Sequence, residues 1–591
     1  SLYFYDWVNG WAKTGKGRIY RLRTKTMAND FKLRNNARLL ASSFDKMSKQ
    51  QLSSLLSHAD RRIRQKAQFA LIDQEADDSL TAVTKSRKSR VARLHGIWGV
   101  GTLARNLSGN IAKQSASTLR SLLKDEDGDV RAMSARMLAD TRNADHINPL
   151  RNLLRDDNSR VKREAALALA RIGKPSTQAT EDVFAMLHHN DDRDLVLRHA
   201  GVYALGEIAS RQELIARIDD SSRAVQRAVL LALARQRAEE IRVFLKHEDE
   251  QFRYEAARAI YELPIPGAMQ DLALLVYDNE ADSERVDWRA INAARMIGEV
   301  EQGEAVVHLA TQPSHSKKIR LEALNVLAEW RTPHGQCRVI GNWRPCQHPD
   351  ADIVVQNFRG SADALLSDKV TAAATARTIA KLGVQDKAPS LARLVANTAM
   401  PADARVAALN ALADLNAGEL QGALDAIETN APVALRKRAV ALLSHTSPEK
   451  AVPVLGSLLD NASLGEKQAA CEALGNLDHA SAAELLRDWM QRINNDKVEG
   501  GLILDILEAA NKHESLKPLV TAREQATKLL GPLGAYNRCI DGGNANAGRK
   551  VFHNFEATRC TRCHTLNNQG GNAGPVLNGV GKRLQPNKLL E

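Results

Sequence analysis

A pattern that returns along the chain limits its fold more than any other feature. From about Leu52 to Leu263 the same order recurs: a pair of apolar residues, an acidic or amide turn, Val or Leu followed by a base, then Ala and Leu at helical spacing. One copy runs Leu122-Leu123-Lys124-Asp125-Glu126-Asp127-Gly128-Asp129-Val130-Arg131 and continues to Ala135 and Leu138. The next runs from Leu153-Leu154 through Asp156-Asp157-Asn158 to Val161-Lys162, and continues to Ala165, Ala166 and Leu169. Further copies pass from Met186-Leu187 to Ala200, from Asp219-Asp220 to Ala228, and from Phe244-Leu245 to Ala257. A period of roughly 30 residues is the length of a helical hairpin that stacks on its neighbours. Each hairpin offers an apolar stripe on both helices. The Asp or Asn between them is placed to cap the second helix, and Ala lets neighbouring helices come close. A chain of 591 residues exceeds what one core supports, and an array that grows by addition meets that limit. The scarcity of aromatics, 4% of residues, suits stacked helices better than strands.

These segments resemble HEAT repeats, in which the Asp-then-Val-Arg pattern marks the inter-helix turn and the start of the second helix. The resemblance is specific over roughly residues 50–263 and looser over 315–525, where Ile319-Arg320, Ala404-Arg405-Val406 and Leu435-Arg436 keep the theme. The expected fold is all-α: a HEAT-like α-solenoid over 26–330 and 359–535, interrupted by an irregular insert over 331–358. That insert carries Pro333, Pro345 and Pro349, Gly335 and Gly341 ahead of Trp343, and no helical period. Cys337 and Cys346 lie inside it with His334 and His348 outside them. Three readings stay open for them: a zinc site, which needs ligands of these types, a local disulfide in an oxidising compartment, or two thiols. Cys471, in Ala469-Ala470-Cys471-Glu472-Ala473-Leu474, reads as a small buried thiol.

The net charge of +12 thickens in two places, Lys13 to Arg38 and Lys85 to Arg93. Such runs mark either acidic-partner or nucleic-acid surfaces or, more commonly, a solvated helix face. Neither run interleaves aromatics for base stacking, so no nucleic-acid partner is expected. No apolar stretch reaches the ~20 residues needed to span a bilayer.

From Gly542 the texture changes, and Cys560-Thr561-Arg562-Cys563-His564 appears. Two thiols separated by a two-residue spacer on a helical turn can both add to porphyrin vinyl groups, with the adjacent His falling under the iron, and this is the attachment pattern of c-type haem. A thioredoxin-type pair needs a βαβ setting, and a zinc ribbon needs a second Cys-x-x-Cys that Cys471 and Cys539 do not supply. Haem c, covalently held by Cys560 and Cys563 with His564 on iron, is therefore the expected cofactor.

The surroundings resemble class I cytochrome c. Gly548 and Phe552 fall four apart where that family's first helix has its small residue and aromatic. Gly574-Pro575-Val576-Leu577 sits where the family has a Gly-Pro-x-Leu loop, and the resemblance gives Pro575 the role of accepting a hydrogen bond from the proximal His. The family's sixth ligand, usually Met, has no counterpart after His564: either the domain over 536–591 is truncated, which is the favoured reading, or the haem is five-coordinate, with His553 as a weaker distal ligand. Ser1 to Trp7 and Gly17 to Leu22 alternate like two strands and look like the closing strands of a β-propeller, a remnant over 1–25. Propeller, HEAT array and haem c in that order resemble bacterial putative membrane-bound dehydrogenases with a quinoprotein-like propeller.

That resemblance implies electron transfer from a sugar or alcohol dehydrogenase propeller absent from this chain. It also implies a fused or separate redox partner, and a place in the periplasm or on the outer face of a membrane. No catalytic residue is expected in the chain itself. The alternative is a solenoid scaffold that docks proteins, with the haem domain as passenger.

Overall fold

The computed structural model describes residues 2–6, 17–22, 30–277, 283–428, 431–446, 448–495, 497–529, 545–555 and 559–590, with four single positions between 531 and 536. Helical hairpins fill it, and they divide into two compact units, Ser1–Leu272 and Ala273–Glu591.

In the first unit the second helices of successive hairpins are α1 (Arg61–Asp73), α2 (Arg90–Asn106), α3 (Gly128–Ala139), α4 (Ser159–Ile172), α5 (Leu195–Ile208), α6 (Arg223–Gln236) and α7 (Glu250–Glu262). Each starts behind a short polar side chain that accepts backbone N–H bonds from its first turn: Asp60, Ser89, Asp127, Asn158, Asp194, Ser222 and Asp249. Such a cap is worth about 1 kcal/mol, because it pairs amides that have no partner within the helix. Each second helix packs on the next, so α1 to α7 form one continuous row. Between them and the first helices lies the core, where Leu71, Ile97, Val130, Leu138, Val161 and Leu233 are wholly buried. Small residues set the close approach: a Cβ on Gly101 of α2 would lie 2.6 Å from Met137 Cε of α3.

The base of the repeat closes the inter-helix turn. Four residues after the cap, Arg64, Arg131 and Arg253 each reach back to two carbonyls at the end of the preceding helix. Arg131 donates to Asp125 O at 2.7 Å and Glu126 O at 3.0 Å, and Arg253 donates to His247 O and Glu248 O at 2.7 and 2.9 Å. Arg131 also grips the carboxylate of Asp156 in the next repeat with two bonds of 2.8 Å. Asp156 in turn accepts the N–H of the next cap, Asn158, at 2.9 Å. One side chain thus ends a helix, shapes a turn and ties two repeats together. Arg320 and Arg405 do the first of these in the second unit, donating to Ala310 O at 3.0 Å and Val395 O at 2.7 Å.

In the second unit α8 (Glu284–Ile297) and α9 (Lys317–Ala328) begin a row that continues through Ala372–Leu382, Ala402–Asp414, Val433–Thr446, Leu464–Asn476 and Gly500–Asn511. The insert departs from expectation in extent. Helix α10 (Ala351–Ser367) starts inside the region expected to be irregular, because Val354, Val355 and Phe358 share one buried face. Nor does the insert divide the molecule. It is packed into the second unit, with Trp330 and Cys337 buried and His348 wedged against the C-cap of α8, so the division falls at Leu272/Ala273.

Antiparallel pairing sets Gly335 opposite Arg344, Gln336 opposite Trp343 and Cys337 opposite Asn342. Cys346 lies beyond this ribbon, and Cys337 and Cys346 are both thiols. Zinc fares no better. Both ring nitrogens of His348 face backbone carbonyls, of Trp330 and Arg295, at 2.8 Å, and among the described residues no three His, Cys, Asp or Glu side chains converge. Cys471 is buried as expected, and burial pushes its thiol up to about 12.

Strands β1 (Leu2–Asp6) and β2 (Arg18–Leu22) pair antiparallel from Leu2↔Leu22 to Asp6↔Arg18, with Phe4 and Tyr20 stacked at 5.0 Å. All of β2 is exposed. Trp7 and residues 23–25 of the expected propeller remnant lie outside the described residues, as do Cys539 and Gly542 to Asn544.

Candidate functional site

The terminal segment is organised around the Cys-x-x-Cys-His sequence. Helix α11 (Ala545–Asn554) carries Gly548 and Phe552 and leads to a tight 3-10 turn over Cys560–Arg562. The turn is entered through Arg559 in the left-handed region (φ 43°) and closed by His564 N donating to Cys560 O at 2.9 Å. That single turn sets the two thiols three residues apart, and the imidazole follows directly.

A loop then wraps the turn. Gly571 N donates to Thr561 O at 2.7 Å, Gly574 N to Cys563 O at 2.6 Å and Leu577 N to Thr565 O at 2.9 Å. Strands β3 (Thr565–Leu566) and β4 (Gln569–Gly570) form its short ribbon. Gly574 is required at its position: a Cβ there would stand 2.8 Å from His564 Cε1. His564 Nδ1 lies 2.9 Å from the carbonyl of Pro575, the residue to which the resemblance gives the orienting role. A carbonyl can only accept, so Nδ1 carries the proton and Nε2 keeps its lone pair for a ligand bond.

None of the terminal segment's described side chains between 545 and 590 is buried. Val551, Phe555, Val576, Leu584 and Leu589 are about half exposed. Covering what remains exposed would gain at most about half of the ~1.5–3 kcal/mol that full burial of such a side chain is worth, and an apolar ligand would do so. A porphyrin has that character and would bring its own four nitrogens to iron, so the residues fit haem c: Cys560 and Cys563 to hold it, His564 to ligate, Pro575 to orient. His553, on α11, packs its ring edge against Phe552 at 5.2 Å.

The Lys85 to Arg93 run is largely engaged within the chain. Arg93 pairs with Asp125, Arg87 with Glu126 at 3.1 Å, and Arg90 with Asp127 at 3.1 Å and also with Asp129. These acids form the turn of the next repeat, so the run locks two hairpins together. No helix among the described residues is long and apolar enough to cross a membrane.

Comparison with known proteins bears on the helices. The family described as HEAT repeats matches residues 116–206 and 420–504, so the chain contains HEAT repeats in both units. Curated protein sequences gave no match. Among solved structures, the chain is similar to the karyopherin Kap121p bound to RanGTP, at 13% identity over 81% of this chain and 58% of that one, with a TM-score of 0.42. It is also similar to a homology model of the full-length AP-3 complex in an intermediate open conformation, at 14% identity over 86% and 91% of the chains, with a TM-score of 0.34. A third likeness is the CpcE–CpcF complex of phycocyanin lyase from Nostoc sp. PCC7120, at 18% identity over 48% and 94%, with a TM-score of 0.20.

Proposed function

We propose that the helical units serve as a scaffold on which other proteins dock. The observation that carries this reading is the row of second helices within each unit, which offers an extended surface stiffened, in the first unit, by caps and inter-repeat ion pairs such as Arg131 with Asp156. A stack of this kind exposes extended surface without needing a catalytic pocket. Cross-linking of the full chain in its native compartment tests it. Cross-links to a partner that fall within 30–529 and persist when residues 545–591 are deleted support docking by the repeats. Cross-links that vanish with the deletion contradict it.

A second reading rests on a separate observation, the 2.9 Å hydrogen bond from His564 to Pro575 beside two thiols and uncovered apolar side chains. In it the terminal segment carries haem c and the scaffold holds that haem near a redox partner. Haem, when bound, supplies one-electron transfer through its iron. The chain's own part is to anchor it through Cys560 and Cys563, to present His564 Nε2, to fix that ring through Pro575 and to shield it with Val551, Phe555 and Val576. The compartment this implies is the periplasm or the outer face of a bacterial membrane, and the donor implied is a propeller dehydrogenase of sugars or alcohols.

A further inference from the structure

The second helices of the first unit share a register beyond their caps. Nine positions after each cap stands a side chain that is never buried, and in six of the seven helices both its chain neighbours are buried. On α1, α2 and α5 that residue is aromatic: Phe69, Trp98 and Tyr203. On α4 and α6 it is Leu167 and Leu231, and on α3 and α7 it is Arg136 and Arg258. Because consecutive second helices pack on one another, these side chains stand in a single row that crosses the helices.

The row has cationic recesses. Between α3, α4 and α5 a hollow of about 310 Å³ is walled by Arg136, Arg163, Arg171 and His199 over Leu167 and Val196, with Glu164 as the one acid in its lining. Arg163 is engaged by Glu164 at 2.5 Å and Arg171 by Asp140 at 2.5 Å, whereas Arg136 makes no hydrogen bond or ion pair among the described residues. Farther along, a hollow of about 400 Å³ is lined by Arg198, Arg227, Leu231, Glu255 and Arg258; Arg198 and Arg227 are engaged by Asp192 and Arg258 faces Glu255 at 3.4 Å, so a ligand carboxylate there displaces Glu255 from Arg258. Between the two, Tyr203 lies under Arg235 at 4.0 Å. A guanidinium beside an apolar floor suits a carboxylate, which it can grip with two hydrogen bonds while the adjoining methylenes rest on leucine or aromatic surface.

We propose that this row is a docking track for an extended acidic peptide segment of a partner protein, its carboxylates at Arg136 and Arg258 and its apolar side chains on Trp98, Leu167, Tyr203 and Leu231. The proposal rests on the docking reading above and names the partner's chemistry. Packed helices lie ~9–10 Å apart and an extended chain rises ~3.3 Å per residue, so the peptide meets one rung about every three residues. About 18 residues then span the seven rungs.

The test is fluorescence anisotropy on the full chain with a labelled peptide of repeating Glu-Leu-Ser, about 18 residues long. The same peptide with Lys for Glu, and an oligodeoxythymidine of matching extended length, serve as alternative probes. The Glu peptide should bind, more weakly as salt rises, and roughly tenfold more weakly to Arg136→Glu, with Arg258→Glu a second weakened variant. Lys113→Glu, on the first helix Gly109–Leu122, should bind like the parent. All three positions are exposed, and circular dichroism confirms that the variants are folded. Absence of Glu-peptide binding overturns the track, as does equal weakening by Lys113→Glu. Preference for the Lys peptide overturns it too, and so does oligodeoxythymidine binding with the same dependence on Arg136. The cross-linking experiment does not depend on Arg136, so docking can stand when the track fails.

Discussion

The α1–α7 stack and the 545–590 segment solve opposite problems. In the stack every helix finds apolar partners within the chain, every second helix is capped, and turn acids are held by arginines of the neighbouring repeat. In the terminal segment backbone hydrogen bonds likewise hold the turn at Cys560–His564, yet no described side chain is buried. The terminal segment thus spends its hydrogen bonds on a turn that holds two thiols and an imidazole, and leaves its described apolar side chains partly exposed. The stack is complete as a polypeptide.

The largest expected difference between the regions comes from removing apolar mass. Leu138→Ala in α3, at a wholly buried site, should cost about 2–5 kcal/mol in denaturant unfolding. Val551→Ala in α11, at a position 49% exposed, should change that unfolding by less than about 0.5 kcal/mol in protein without haem. Comparable losses at the two sites would mean that the terminal segment has a core of its own.

A smaller effect is expected from the repeat tie. Arg131→Ala removes a two-pronged grip on Asp156 and the closure of two carbonyls, and should cost roughly 1.5–3 kcal/mol. The double variant with Asp156→Asn should lose less than the sum of the singles, since both changes break one contact. Strict additivity in a double-mutant cycle would show that the tie does not couple the repeats.

The smallest effect is on pH dependence, and it sharpens the contrast because the shifted groups belong to the stack. Burial, with Arg64 beside it, lowers His95 to about 4 from 6.5, and its ring sits between Gln68 and Arg64 as a neutral imidazole. The bond from Arg62 lowers Asp60 to about 2 from 3.8. Both folded values are depressed, so both contributions are full above the unfolded values and are lost as pH falls. The loss from His95 runs between 6.5 and about 4, and that from Asp60 between 3.8 and about 2. His95→Gln should flatten only the upper part of a stability profile against pH. An unchanged slope between pH 6.5 and 4 would remove His95 from the account.

How much of this was legible in the sequence varies with the range of the interaction. Asp60, Asp127, Asn158, Asp194 and Asp249 could be read as caps because a cap and its helix are adjacent in the chain. Ser89 was hidden within a basic run, and α10 began behind Pro349 where prolines suggested an irregular stretch. The reach of Arg131 to Asp156, 25 residues on, and the engagement of Arg87, Arg90 and Arg93 by the next turn depend on stacking, which local patterns do not encode. In the terminal segment the Cys-x-x-Cys-His spacing and the Gly574-Pro575 pair pointed to His564 and its orienting carbonyl. What the residues alone did not reveal is that the apolar side chains around that ring remain uncovered, since exposure is a property of the folded segment.

The most direct measurement is the pyridine haemochrome spectrum of the full chain, expressed with a periplasmic leader and cytochrome maturation machinery. The account predicts a c-type α-band that survives acid-acetone extraction and is abolished in Cys560→Ala/Cys563→Ala, while the helical circular dichroism of the stack is unchanged. A chain that matures without retained haem, or a double variant that retains it as well as the parent, would contradict the account.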